Sequence, residues 1–66
     1  MVKLLVPGCP PGGFALADSS EGHLRQLWDL LNGDDPRVVI EILGSRGEPR
    51  ELAIRPHRLE WFSFDW

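Results

Sequence analysis

Five of the six residues in Val38-Val39-Ile40-Glu41-Ile42-Leu43 are aliphatic and four of them are β-branched, a composition that is stiff in a helix and packs well on a pleated strand. Their alternation sets Val38, Ile40 and Ile42 on one face and Val39, Glu41 and Leu43 on the other. The turn formers Gly44-Ser45-Arg46-Gly47-Glu48-Pro49 follow, and then a second alternating run in which Leu52 and Ile54 interleave with Glu51, Ala53 and Arg55. An antiparallel hairpin of Arg37–Leu43 with Arg50–Arg55 is therefore expected, with a loop longer than the two-residue minimum.

Pro56 has no amide proton to give to a ladder, so Arg55-Pro56-His57-Arg58 should bend into a third strand. In that strand Leu59, Trp61 and Ser63 share one side, and Glu60, Phe62, Phe64 and Trp66 the other. Each aromatic buries roughly 150–250 Å² when covered, so a strand with aromatics on both sides has two covered faces or an exposed apolar patch. Patches of that kind mark interaction sites.

Before the hairpin, Val2–Val6 reads as a short strand. Pro7-Gly8-Cys9-Pro10-Pro11-Gly12-Gly13 is a connector, and Phe14–Ala17 is a second short extended segment. Asp18-Ser19-Ser20-Glu21 has the form of a capping box, with Asp18 or Ser19 as cap and Glu21 reaching back. Leu24, Leu27, Trp28 and Leu31 then recur at helical spacing, Asn32-Gly33 supplies a stop and Pro36 bars continuation. The fold expected is α+β: a short N-terminal strand, one amphipathic helix over 19–31, and a three-stranded antiparallel meander over 37–66 with the helix on one sheet face. Residues 7–17 form the Pro/Gly-rich connector of this single domain, 1–66. If the first strand joins the sheet in parallel, the helix becomes a right-handed crossover.

A chain of 66 residues buries only about 60% of its unfolded surface, so such domains commonly rely on disulfides, metals or association. The single Cys9 excludes an internal disulfide, and Cys9, His23 and His57 are too widely spaced for a structural zinc set. Association or an efficient core remains. No run approaches the ~18 apolar residues of a membrane span, and Met1–Pro7 is too short for a signal-peptide core, so a cytoplasmic protein without membrane contact is expected.

The formal net charge of −3 is unevenly placed. Residues 1–36 hold Asp18, Glu21, Asp29, Asp34 and Asp35 against Lys3 and Arg25, whereas residues 37–66 balance five arginines with five acids. Arg46, Arg50, Arg55 and Arg58, near Trp61 and Phe62, are the candidates for contact with single-stranded nucleic acid. The plainer reading pairs them with Glu41, Glu48, Glu51 and Glu60, because phosphate binding needs uncompensated positive charge.

No motif specifies a reaction, and no cofactor is expected. The glycine-rich connector lacks the spacing of a phosphate-binding loop, and carboxylates alternating with arginines on strands are the ordinary solvated pattern. Of the three tryptophans, Trp28 is expected between helix and sheet, and Trp61 or Trp66 at an interface. Leu30 lies off the main helical stripe beside His23, as a rim of the core or a contact with another chain.

A single helix cannot cover both sheet faces, which leaves Val39, Leu43 and one set of the last aromatics without a lid. The expectation is a small non-enzymatic interaction module that self-associates through a sheet face or edge strands, with Leu30, Val39, Leu43, Trp61, Phe62, Phe64 and Trp66 at the interface. Two other readings stand beside it. One is an acidic inhibitor or antitoxin-like protein docking on a basic partner. The other is an oligomeric regulator that gathers its arginines on RNA or single-stranded DNA.

Overall fold

In the computed structural model, which describes Met1–Trp66, the hairpin is the largest element. Strand β3 (Val38–Leu43) pairs antiparallel with β4 (Pro49–Ile54), setting Val38 opposite Ile54, Ile40 opposite Leu52 and Ile42 opposite Arg50. The loop closes on Gly44, whose amide donates to the Glu48 carbonyl at 2.7 Å. Gly47 sits at φ +78°, the left-handed position that a three-residue hairpin loop needs after its first turn.

Two three-residue strands extend the sheet: β1 (Lys3–Leu5) and β2 (Phe14–Leu16). The chain is α+β, with five strands in the order β4-β3-β2-β1-β5, where β5 is Ser63–Asp65, and every pairing is antiparallel. The N-terminal strand therefore makes no parallel crossover. The C-terminal strand lies beside β1, at the edge opposite β4, rather than continuing a meander from it.

Geometry permits that route. Four strand spacings of ~4.8 Å separate β4 from β5, about 19 Å in all, and the eight-residue connection 55–62 reaches ~26 Å when extended. The connection turns through a 3-10 segment at Pro56–Arg58. Pro56 is buried, and Leu59 and Phe62 pack against the core, so the segment runs across the core face as a strap.

The expected single helix is divided into α1 (Asp18–Glu21) and α2 (Leu24–Leu31), with Gly22-His23 between them. Its capping box does not form. The cap position falls on Ala17, which has no side-chain bond to give, and the polar groups are used across the fold instead. Glu21 Oε1 accepts from the Val2 amide at 2.8 Å, Ser20 Oγ donates to the Glu41 carbonyl at 2.7 Å, and Ser19 Oγ donates to Glu41 Oε2 at 2.8 Å. The two bonds to Glu41 hold α1 against β3, where β2 is too short to pair, and the third ties it to the residue before β1. The break at Gly22 then lets α2 lie at its own angle, with Leu27 and Leu31 buried and Leu24 packed on the cluster.

The core is Val2, Leu4, Val6, Leu16, Leu27, Leu31, Val38, Ile40, Ile42 and Ile54. It sits between one sheet face and a cover made of α1, α2 and the 55–62 strap. No helix is long and apolar enough to cross a membrane.

Glu48 stabilises the hairpin loop electrostatically. Hydrogen bonds from its own amide and from that of Arg46, the latter at 2.8 Å, hold its carboxyl below the ordinary value of 4.5. Arg50, 3.4 Å away, acts in the same direction, and desolvation opposes. A carboxyl whose folded value is depressed contributes stability that is present above the ordinary value and is lost as pH falls through the folded one. Glu48→Gln should therefore lower the thermal midpoint slightly at neutral pH, and the gap from wild type should close as pH drops below 4.5. Paired melts at neutral and acid pH read this directly.

Candidate interaction surfaces

The sheet face turned away from the helices is set by register. Lys3 stands between Ala15 and Asp65, Ala15 beside Leu43, and Leu43 beside Pro49, which makes one continuous row across all five strands. Leu5 and Ser63 lie next to that row at one end. On its other side Glu41 faces Glu51, and beyond them Val39 faces Ala53. Val39 is 45% exposed, and Leu5, Ala15 and Leu43 are half-buried. Pro10 and Pro11 of the connector border the row.

Leu30 and Val39, both expected at an interface, do come together. They line an open groove of about 300 Å³ between the helices and β3, with His23 and Gln26 on its helical wall. Leu30 also packs against the core, so it serves as a rim whose outer side is accessible.

Phe62 and Phe64 are placed differently. Both are half-buried against the core of their own chain, with ring centroids 6.0 Å apart in an edge-to-face contact. The chain supplies part of its own lid on the core face, and the uncovered surface is the opposite face. Trp66 follows β5 and is 83% exposed.

Trp28 departs from the expected core position: it is 50% exposed. Leu24, Leu27 and Leu31 fill the inward stripe of α2, and Trp28 falls at the stripe's edge. There its ring meets Phe62 edge-on at 5.0 Å. Trp61, also 50% exposed, lines the same groove as Trp28 and Phe62, a cleft of about 440 Å³ between the end of α2 and the strap. Periodicity places Trp28 on the helix, but Phe62, the strap residue that gives it a partner, lies 34 residues further along the chain and leaves no local signal.

The arginines do not gather. Arg46 and Arg50 lie at the loop end of the hairpin, where Glu48 bridges to Arg50. Arg55 and Arg58 lie beyond the other end of β4 beside Val6 and Phe14. Five residue steps separate Arg50 from Arg55, about 17 Å of extended chain. Cys9 is half-buried on the core, and no group of three His, Cys, Asp or Glu side chains is placed to hold a metal ion. No protein-family model, no curated protein and no solved structure matches the chain.

Proposed function

We propose that the protein is a cytoplasmic, non-enzymatic interaction module whose open sheet face docks on a second copy of itself. The row Pro49-Leu43-Ala15-Lys3-Asp65 carries this reading. Its one half is apolar and its other half holds one charge of each sign, so a two-fold axis running along the row lays apolar half on apolar half and the charge pair on the charge pair. In such a pair Lys3 of each copy lies diagonally across from Asp65 of the other, about one strand spacing (~4.8 Å) to the side, and Leu43 and Leu5 lose their contact with water. The Glu41 and Glu51 carboxylates, which repel across the ladder, belong at the rim.

Surface area points the same way. The chain exposes 4635 Å², roughly a tenth more than the ~4,250 Å² expected for a compact monomer of its mass. Five strands of this length present a face of only about 250–450 Å², below the ~800 Å² per partner of a standard interface. A concentration-dependent dimer follows, rather than a permanent one.

Sedimentation equilibrium from about 5 to 500 µM spans the affinity range of such weak contacts. The mean mass should rise from 7.5 kDa towards twice that value. Leu43→Glu should hold it at the monomer while leaving the far-UV spectrum unchanged, and Glu51→Ala should leave association intact or strengthen it. A mass that stays at 7.5 kDa at every concentration removes the proposal.

A further inference from the structure

We infer that the cleft between the end of α2 and the strap is a docking site for an arginine side chain carried on a basic segment of another protein. This site lies on the core-face side of the sheet and is separate from the self-association row. Three features of the cleft favour a cation. Trp28 and Trp61 both line it and are each half exposed, and the π-face of indole attracts cations more strongly than that of any other side chain. Asp34 and Glu60 line it as well, against His57 and no lysine or arginine. The third feature is the C-terminal end of α2, reaching the cleft through Leu31 and Asn32. The last turn of this helix carries no basic residue, so nothing on its own element offsets the negative end of the dipole.

Guanidinium suits this set better than ammonium. It is flat, weakly hydrated and able to stack on an indole while its edge donates to carboxylates and carbonyls. The cleft volume of about 440 Å³ falls in the range of ~300–1,000 Å³ typical of ligand sites. The edge contact with Phe62 at 5.0 Å fixes one wall before any ligand arrives, which lowers the cost of ordering it. The surplus of acids in residues 1–36, Asp29 and Asp35 among them, extends an attractive field towards a basic partner.

The test uses the full chain and two blocked tripeptides, acetyl-Gly-Arg-Gly-amide and its citrulline counterpart, which keeps the shape and lacks the charge. Indole N–H resonances, assigned by substituting each tryptophan in turn, report the site. The arginine peptide should shift the Trp28 and Trp61 signals with saturation, and should bind at least about ten-fold more tightly than the citrulline peptide. Asp34→Asn combined with Glu60→Gln, both solvent-exposed changes, should weaken it about five- to ten-fold. Trp61→Ala should abolish it, whereas Leu43→Glu should leave it unchanged, so that this site and the self-association row succeed or fail separately. Equal binding of the two peptides, shifts confined to Trp66, or no shift at about 10 mM peptide overturns the inference.

Discussion

Leu4→Ala should remove most of the chain's stability and leave a measurable fraction of it unfolded in water at 25 °C. Leu4 is fully shielded from solvent. It stands on β1, opposite Phe14 of β2 on one side and Phe64 of β5 on the other. Truncating such a leucine costs about 2–5 kcal/mol, and the value within that span depends on how far the neighbours collapse into the hole. Phe14 and Phe64 are both half-buried and have room to lean inward, which favours the lower part of the range. Even that loss is comparable to the ~3–5 kcal/mol that a core of this size supplies in total. Urea titrations followed by far-UV circular dichroism measure it, with Leu43→Ala as comparator, for which less than about 1 kcal/mol is expected on a half-open surface. If self-association contributes to folding, raising the chain concentration restores part of the Leu4→Ala signal by mass action. A Leu4→Ala midpoint equal to that of wild type would mean that the core is not where the register places it.

Much of this fold is legible in the residues because it depends on local pattern. The Val38–Leu43 alternation predicts the buried set Val38, Ile40 and Ile42, and those are the residues that β3 turns inward. The turn cluster between Gly44 and Pro49 predicts the hairpin, and Gly47 supplies its left-handed position. The helical stripe predicts Leu27 and Leu31 as core. What periodicity cannot show is where a side chain spends its hydrogen bonds. Glu21 and Ser19 have the sequence of a cap, yet they bond to Val2 and Glu41, 19 and 22 residues away. A partner elsewhere in the fold competes with the local amide, and the helical path is interrupted over Gly22-His23.

The same limit governs the surfaces. Sequential strands usually neighbour one another, so nothing local signals that Ser63–Asp65 bypasses β4, β3 and β2 to pair with β1. Once it does so, the aromatics change roles: Phe62 and Phe64 turn to the core of their own chain, and Trp28 and Trp61 become the walls of a cleft. The face carrying Val39 and Leu43 keeps the status that alternation assigned to it, because period 2 fixes a side irrespective of strand order. The open row is thus readable in part from sequence, whereas the cleft needed the topology.

Gly13→Ala should cost about 2–4 kcal/mol, comparable to the loss of Leu4. Gly13 closes the connector at φ +82°, and a Cβ placed there would lie 2.6 Å from the Leu4 carbonyl oxygen and 3.1 Å from Leu5 Cγ. The backbone angle alone disfavours alanine by about 1–2 kcal/mol. The contact adds to this, because the obstructing atom belongs to the backbone of β1 and that strand is held on both sides by β2 and β5. Gly47→Ala separates the two contributions. Its φ is +78° and nothing lies within 4 Å of the added carbon, so it should show the conformational cost without the collision. Comparing the two variants in urea gives the steric part by difference, and equal losses would show that the connector moves aside freely. The shift forced by Gly13→Ala also displaces Lys3, Leu5 and Ala15, which share the open face. This variant should therefore lose self-association under conditions where it is still folded, whereas Gly47→Ala, at the tip of the β3–β4 loop, should keep it.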